Sequence, residues 1–314
     1  MSAIVVGYRS AGWLDRCLRS LLASSHRPLD VVYVDNASRD GSLDLPVLHL
    51  AGVVTIANTR NEGFAHACNQ GIDLAPRLGA EFVFLVNPDT WTPPTLVAEL
   101  VELATTVAGL GAVAPPQVDM DGCSLDAWEA KWSSDAIARS GGDVVYGGVV
   151  PPAPNGMDDL LDVDHVQGAA LFAPLHALLS IGGFDSLYDT FYEEADLCRR
   201  LRARGLRVAV APVTPIHHAG SAGSPPSWRR EHLLRRNRYA YALTDPALHP
   251  RTLASVLWRW VRWDLRRGPA GDVTARAASL AVASVWLARH GPHLLRRRRQ
   301  LTRTRPPARA RSAP

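Results

Sequence analysis

Lysine is almost absent from this chain of 314 residues, and cysteine and methionine are scarce. The single lysine, Lys131, is followed by Trp-Ser-Ser, which fits neither a phosphate-binding P-loop nor a pyridoxal Schiff base. The four cysteines are far apart, which is typical of reduced thiols and argues against a zinc site or a disulfide framework. They are Cys17, Cys68, Cys123 and Cys198.

The sequence also offers no clear membrane or export segment. A membrane-spanning helix needs about 20 apolar residues, and the apolar run from Ala277 to Ala288 is shorter than that. The amino terminus lacks the basic and then apolar order of a signal peptide, because Ala3–Val6 is only a strand-length run that ends at Gly7. We therefore expect a cytoplasmic protein.

Charge is distributed unevenly along the chain. Residues 1–250 contain 19 Lys and Arg against 28 Asp and Glu, whereas residues 251–314 contain 15 against 2. The body is therefore acidic and the tail strongly basic. An acidic body opposes binding to a nucleic-acid backbone, so no nucleic-acid partner is expected.

The first half alternates strand-like and helix-like segments, which predicts an α/β fold with a mostly parallel, Rossmann-like sheet flanked by helices. Another strand is predicted in LRVAVAPVTPIHH, and from Trp228 onward the pattern is helical. The first five predicted strands lie in SAIVVGY, DVVYVDNAS, VVTIAN, FVFLVNPD and GLGAVAP.

Two carboxylates stand where apolar strands end. Asp35 follows the second strand and Asp89 the fourth, so both should face the edge at which open α/β sheets bind ligands. A carboxylate at this edge can accept hydrogen bonds from a nucleotide or hold a divalent cation, although either residue alone is also a common turn former. An acidic segment, Tyr192–Asp196, starts a helix, where the helix dipole by itself favours acidic residues.

Six motifs, in order, resemble the family 2 glycosyltransferases with the GT-A fold, and among them the rhamnosyltransferase-like branch. They span about residues 2–240 and are IVVGYRS, VDNASRDGS, NEGFAHACNQGI, FLVNPDT, GGFDSLYDTFYEEADLCRRLRARG and HHAGS. The resemblance implies a nucleotide-diphosphate sugar donor, a divalent metal (Mg²⁺ or Mn²⁺) and an inverting single displacement. The sugar, such as rhamnose, would go to a lipid-linked or polysaccharide acceptor in cell-envelope glycan synthesis.

By position, the resemblance assigns donor and metal contacts to residues at the strand ends. Asp89 would hold the metal together with His217, and His218 is the alternative histidine. Asn87 stands where many relatives have the first aspartate of a D-x-D motif, which removes one negative ligand. The donor-binding residues would be Asp35, Asn61, Gly63, Asn69, Asn87 and Asp89.

The acidic segment matches the family motif whose second residue is the general base. That residue is Glu194 here, a glutamate in place of the usual aspartate, and it would take the proton of the acceptor hydroxyl. Successive side chains on a helix diverge by about 100°, so the acidic residues cannot all face one cleft, and Asp196 is expected to be structural. Gly168, Asp185 and Glu193 would lie on the acceptor side.

The chain is accordingly divided into four parts. We expect a nucleotide-sugar-binding half at residues 1–116, an acceptor and catalytic half of the same domain at 117–240, a helical extension at 241–295 and a disordered basic tail at 296–314. Residues 117–160 are expected to form loops over a cleft.

The extension contains an amphipathic helix. Arg259, Arg262 and Arg266 recur at helical spacing, and the apolar residues Val256, Trp258, Trp260 and Trp263 are expected to cover the rest of its surface. Such a helix suits an anionic membrane surface, which would place the protein at the inner face of the cell membrane. A core helix followed by a soluble tail is the alternative.

Three other functions stay open. A nucleotidyltransferase would use similar sheet and metal chemistry, but Arg9 is the only basic residue in SAIVVGYRSAG, where a basic, glycine-rich signature is expected. A nucleic-acid-binding protein would have to use the basic tail alone. An inactive transferase is the third alternative, because of Asn87 and Glu194.

Overall fold

The computed structural model describes residues 1–122, 160–220, 227–267 and 273–304. Within these ranges the chain forms two compact units, each described by itself below. The first comprises the described residues 1–122, 160–201 and 206–220, and the second 202–205, 227–267 and 273–304. The loops predicted over a cleft lie for the most part outside the described residues, as does the end of the chain after residue 304.

The first unit is built on two sheets. The strands are β1 Ser2–Gly7, β2 Asp30–Asp35, β3 Val53–Ala57, β4 Phe82–Val86, β5 Thr90–Trp91, β6 Leu110–Ala114, β7 Gln117–Val118, β8 Leu161–Asp162, β9 Ala170–Pro174, β10 Arg207–Val210 and β11 Ile216–His218. The larger sheet has the order β3-β2-β1-β4-β9-β6-β10-β8 and the smaller one β5-β11-β7.

The larger sheet is mostly parallel, as predicted. β1 to β4 run parallel to one another, as do β6 and β10, whereas β9 runs antiparallel between β4 and β6 and β8 runs antiparallel to β10. The central strands are rich in β-branched and aromatic residues and are buried on both faces, which is typical of parallel sheets covered by helices.

Helices cover both faces of this sheet. They are α1 Ala11–Leu22, α2 Phe64–Leu74, α3 Leu96–Thr106, α4 Leu175–Ser180 and α5 Glu193–Ala203. Side chains alternate between the faces of a strand, and β1 accordingly sends Ala3 and Val5 into the cluster with α1 and α3. Ile4 and Val6 join the cluster with α2, α4 and α5 on the other face.

The smaller sheet corrects one sequence prediction. The segment LRVAVAPVTPIHH forms two strands, β10 and β11, rather than one. Pro212 and Pro215 lie between them, and proline has no N–H to donate to a strand ladder. Because the strand is interrupted there, β11 pairs with β5, which follows β4 in the chain.

The second unit is helical from Trp228 onward, as predicted, and the division drawn at residue 241 falls inside the first of its helices. They are α6 Trp228–Thr244, α7 Pro250–Arg267 and α8 Val273–Thr304. Because α8 extends to Thr304, residues 296–304 are helical rather than part of a disordered tail. Arginine and leucine are good helix formers, and no proline or glycine stands between Pro292 and Pro306.

The core of the second unit contains two residues that the sequence pattern placed on the surface. Val256 and Trp260 are buried with Tyr239 and Ala242. The rings of Tyr239 and Trp260 meet edge to face, with centroids 5.8 Å apart. Trp258, in contrast, is 62 % exposed. The core-helix alternative is therefore correct for one side of α7. In the described part of the chain, no helix has the combination of length and apolar character needed to cross a bilayer.

Candidate active site

Asp35 ends β2 with its side chain almost wholly buried. The Tyr33 hydroxyl donates to its Oδ1 at 3.0 Å, and the Ser38 N–H donates to its Oδ2 at 3.1 Å. Burial and the Asp35 charge raise the pKa of Tyr33, so this hydroxyl stays a donor. Gly7 makes room for it, since a Cβ there would lie 2.7 Å from the Tyr33 ring. The Asp35 carboxylate is therefore held in one orientation at the sheet edge.

A cleft of about 330 Å³ opens at the loops that follow β1, β2 and β3. Its lining includes Tyr8, Arg9, Ser38, Arg39, Arg60 and Asn61. Arg9, Ala37 and Arg39 have φ angles of 56°, 63° and 53°, a region that non-glycine residues rarely occupy and that is often found at functional sites. The size and the arginines suit a nucleotide, because guanidinium groups bind phosphate well.

Asn36 links this cleft to the next loop. Its Nδ2 donates to Asn61 Oδ1 at 3.1 Å and to the Gly63 carbonyl at 3.2 Å, and its Oδ1 accepts from the Glu62 N–H at 2.9 Å. Asn61 Oδ1 also accepts from the Gly63 N–H at 3.0 Å. The sequence analysis did not assign Asn36 a role, although its place directly after Asp35 was a usable signal.

Asp89 lies between β4 and β5, and its carboxylate Oδ1 is 3.4 Å from Nε2 of His218. The loop beneath it is fixed by Asn87, whose N–H donates to the Ala169 carbonyl at 3.0 Å and whose carbonyl accepts from the Thr90 hydroxyl at 2.8 Å. Cys17 packs under the same loop, with Sγ 3.5 Å from the Asn87 carbonyl. Burial raises the pKa of Cys17 to about 12, which makes this thiol unreactive.

The histidine next to Asp89 is His218, which the sequence analysis gave as the alternative to His217. In the pairing of β11 with β5, His218 lies opposite Thr90 and His217 opposite Trp91. Neighbouring side chains on a strand point to opposite faces, and the His217 ring packs edge to face on Trp91 at 4.9 Å. Its Nδ1 lies 3.0 Å from the Asp119 carbonyl.

The donor atoms at Asp89 are compatible with a divalent cation. A carboxylate oxygen and an imidazole nitrogen are ligands that Mn²⁺ accepts, and the carboxylate also suits Mg²⁺. Nδ1 of His218 is 3.1 Å from Gln117 Oε1, a second contact that orients the ring. No group of three His, Cys, Asp or Glu residues that could hold a metal occurs among the described residues. Asp89 and His218 would therefore supply part of a coordination sphere.

Glu193 and Glu194 start α5 as a buried acidic pair. Glu193 is 5 % exposed and Glu194 half-buried, and the Oε2 atom of each finds no hydrogen-bond partner within the described structure. Burial and the adjacent Glu194 carboxylate raise the pKa of Glu193 well above its usual range. Burial also raises the pKa of Glu194. Two neighbouring carboxyls with raised pKa values are suited to accepting a proton and releasing it again.

The segment before α5 contacts the start of α2 through Asp189. Asp189, Phe191 and Tyr192 have φ angles of 64°, 71° and 71°. The Asp189 carbonyl accepts from the Ala65 N–H at 2.9 Å. A Cβ on Gly63, where φ is 86°, would lie 2.1 Å from Asp189 Oδ1, so only glycine fits. Asp189 is a further site neighbour that the sequence analysis missed, and its charge helps to raise the pKa of Glu193.

Asp196 is structural, as expected. It is fully buried, and Arg200 Nε and Arg199 Nη2 donate to its two oxygens at 2.6 and 3.0 Å. Arg200 Nη1 also donates to the carbonyls of Ile181 and Gly183 at 3.0 and 2.6 Å. This ion pair fixes α5 to the turn after α4.

The remaining predicted residues fall into two groups. Gly168 borders the acidic pair, since a Cβ there would lie 3.9 Å from the Glu194 Cβ in ordinary contact. Asn69 and Asp185 form hydrogen bonds with the turn after α4. The Asn69 amide donates to the Phe184 carbonyl at 2.9 Å and accepts from its N–H at 2.8 Å. Asp185 accepts from the Leu187 N–H at 3.1 Å and caps a short 3₁₀ turn.

Comparison with known proteins agrees with this architecture. Residues 2–124 match the family described as glycosyl transferase family 2. The chain is 28 % identical over 286 residues to an N-acetylglucosaminyl-diphospho-decaprenol L-rhamnosyltransferase of Mycobacterium tuberculosis. That alignment covers 85 % of this chain and 89 % of the relative.

Solved structures share the fold. A mannosyltransferase of Pyrobaculum calidifontis, in complex with GDP-Man and Mn²⁺, has a TM-score of 0.53 at 18 % identity over 96 % of this chain and 85 % of its own. Staphylococcal TarS with UDP-GlcNAc has a TM-score of 0.53 at 16 % identity over 85 % and 75 %. GalNAc-T7 with UDP, GalNAc and Mn²⁺ has a TM-score of 0.56 at 12 % identity over 90 % and 54 %. The described part of the chain therefore has the GT-A fold of these solved transferases, and residues 2–124 are similar to glycosyl transferase family 2.

Proposed function

We propose that this protein is a glycosyltransferase that moves rhamnose from a nucleotide-diphosphate donor to a lipid-linked acceptor in cell-envelope glycan synthesis. The observation that carries this proposal is the match to the rhamnosyltransferase relative across 85 % of the chain. That relative is named for a diphospho-decaprenol acceptor. The family match and the relative do not favour the nucleotidyltransferase, the inactive transferase or the nucleic-acid-binding protein.

The acidic pair gives the reaction its base. In the proposed step, the acceptor hydroxyl oxygen forms a bond to the anomeric carbon while the bond from that carbon to the diphosphate oxygen breaks. The hydroxyl proton passes to Glu194, and attack from the face opposite the leaving group inverts the anomeric centre. Gly168 leaves the side of Glu194 without a side chain, which gives the acceptor access. Glu193, with the more strongly buried carboxyl, stays protonated beside it.

We assign donor binding to the residues at the strand ends, away from the acidic pair. The nucleotide would occupy the cleft lined by Arg9, Arg39 and Asn61, and the buried Asp35 and Gly63 would support the loops around it. Asp89 and His218 would hold Mg²⁺ or Mn²⁺ at the donor diphosphate, and a cation there offsets the negative charge that develops on the leaving group. Asn87, the neutral residue in the D-x-D position, contributes its backbone to the Asp89 loop rather than a second carboxylate.

A donor panel with purified full chain tests this proposal. Release of free nucleoside diphosphate would be measured for several nucleotide sugars, with an N-acetylglucosaminyl-diphospho-lipid as acceptor and with Mg²⁺, Mn²⁺ or chelator. We expect turnover with a nucleotide-diphosphate rhamnose that requires both acceptor and metal. Turnover restricted to another sugar would overturn the donor assignment. Pyrophosphate release from a nucleoside triphosphate would support a nucleotidyltransferase instead.

A further inference from the structure

We propose that one face of α8, together with the basic side of α7, docks on an anionic membrane surface. The face is a stripe of eight residues at alternating spacings of four and three, which places them on one side of a helix. All are exposed. They are Ala278, Val282, Val285, Arg289, Pro292, Arg296, Arg299 and Arg303, and we call them the α8 stripe.

The stripe changes character along its length. Its first part is apolar, with Val282 49 % and Val285 71 % exposed, and no charged residue stands between positions 277 and 288. Its second part carries four arginines, with Leu295 57 % exposed beside them. A membrane interface can bind both parts. The apolar side chains can be buried at the acyl boundary, and the arginines can bind the anionic headgroups.

The other side of α8 is already used by the fold. Ser279, Ala283, Leu294 and Leu301 are buried, and Leu280 packs against the core of the second unit. The exposed valines are therefore not the packing side of the helix. Isolated exposed apolar residues are common, but a continuous apolar strip on one face indicates a partner surface.

Helix α7 adds to the positive charge. Arg259, Arg262 and Arg266 line a cleft of about 320 Å³ with Trp263, and Trp258 is 62 % exposed nearby in sequence. The only acidic residue within the described parts of α7 and α8 is Asp264. It is buried, and Arg238 donates to it at 2.7 Å. The described parts of α7 and α8 therefore contain no exposed carboxylate.

Charge complementarity favours a membrane over a second copy of this chain. A two-fold interface would place the same stripe on both sides, and arginines would then meet arginines without an acidic partner on the face. Nucleic acid would use the arginines but leave the exposed valines in water. An anionic bilayer satisfies both parts, because tryptophan and aliphatic side chains bury at the boundary while arginines reach the headgroups.

Vesicle co-sedimentation of the full chain tests this inference, and it needs neither donor nor acceptor. Vesicles of phosphatidylcholine with and without phosphatidylglycerol would be compared at low and high salt. The basic variant carries Arg289→Gln, Arg296→Gln and Arg299→Gln. The matched control carries Arg16→Gln, Arg77→Gln and Arg204→Gln, three exposed arginines outside these helices. A third variant, Val282→Gln with Val285→Gln, keeps the net charge.

We expect binding only to the anionic vesicles at low salt, weakening as salt rises. Each basic residue near an anionic surface contributes about fivefold to partitioning, so the basic variant should lose about tenfold to a hundredfold and the control about twofold or less. The valine variant should also bind more weakly at unchanged charge. Circular dichroism checks that each variant is folded. Equal losses in the basic variant and the control, or binding that ignores lipid charge, would overturn the inference. So would sedimentation velocity showing self-association that the basic variant abolishes.

Discussion

At the scale of single residues, the acidic pair at the start of α5 combines burial with like charge. Glu193 and Glu194 each keep a buried oxygen without a hydrogen-bond partner in the described structure, an arrangement that costs stability unless a proton is present. Perturbed carboxyls of this kind are concentrated at functional sites. The pair is therefore the feature of the site whose replacement should be most informative.

Replacing the proposed base should slow the chemical step. Glu194→Gln keeps the size of the side chain and removes its basicity, so the single-turnover rate should fall by about 10²–10⁴-fold with donor affinity nearly unchanged. Glu193→Gln is the matched comparison, and it should cost less because Glu193 is not the proposed base. Rapid-quench kinetics and donor titration measure the two quantities. A greater rate loss in Glu193→Gln would transfer the role to that residue.

The same pair should make stability depend on pH. The pKa of Glu193 is raised above the unfolded value of 4.5, so above about pH 4.5 the folded state holds more protons than the unfolded state. The stabilisation is present below 4.5 and is lost as pH rises through the raised folded pKa. Thermal unfolding should show this loss in the wild type and less of it in Glu193→Gln. Glu102→Gln, at an exposed glutamate, should retain the full wild-type dependence. Identical profiles for all three proteins would contradict the prediction.

The two adjacent histidines should differ in their effect on metal use. His218→Ala removes the imidazole 3.4 Å from Asp89 and should raise the Mn²⁺ concentration needed for half-maximal turnover by about 10-fold or more. His217→Ala should leave that concentration nearly unchanged, because His217 contacts Trp91 and the Asp119 carbonyl. The measurement is turnover across a metal titration. The assignment fails if the two variants exchange these behaviours.

This choice of histidine marks a limit of sequence reasoning. Asp35 and Asp89 were selected because each follows an apolar strand, a position that is visible in sequence, whereas Glu194 was selected because it matches a family motif. The face on which His217 or His218 emerges depends on the pairing of β11 with β5, two strands that lie more than a hundred residues apart. Periodicity within one strand carries no information on that register.

At the scale of elements, Asn69 connects α2 to the turn before α5. Its amide makes two hydrogen bonds to the Phe184 backbone. Only glycine fits at position 183, because a Cβ there would lie 2.4 Å from the Asn69 Oδ1 atom. Together with Arg200, which donates to the Gly183 carbonyl, Asn69 links this turn to α2 and α5.

Loss of this contact should destabilise the first unit. Asn69→Ala leaves the Phe184 N–H and carbonyl without their partner, which should lower the free energy of unfolding by about 1–3 kcal/mol. Denaturant unfolding monitored by circular dichroism measures the change. Asp73→Ala, an exposed position on the same helix, is the control and should have little effect. If Asp73→Ala lowered the free energy of unfolding by as much, the effect would come from changed helix stability and not from the loss of the Asn69 contact.

Element prediction succeeded where the signal was local and failed where it was not. The apolar runs of β1, β2 and β4 and the helical spacing in α1 were visible in the sequence. The direction of β9 and its insertion between β4 and β6 were not, because a short apolar run has the same composition in either orientation. The prolines between β10 and β11 are visible in the sequence, and proline within an apolar run indicates that a strand ends there.

At the scale of the whole molecule, the sequence pattern predicted a helical second part from Trp228 onward, where α6 begins, but it did not predict the core of that part. The burial of Trp260 and the exposure of Trp258 could not be separated by composition, since both are tryptophans on one basic helix. Their positions follow from packing against α6 and α8.

The antiparallel strand in the middle of the sheet also affects how the chain reaches its native state. β4 and β6 are neighbours only through β9, which is synthesised after both of them. Until residues 170–174 are available, the apolar strand Phe82–Val86 has β1 on one side and an unpaired edge on the other. An uncovered apolar edge is a template for association between chains. Residues 1–116 therefore contain an apolar strand edge that is covered only after β9 has been synthesised.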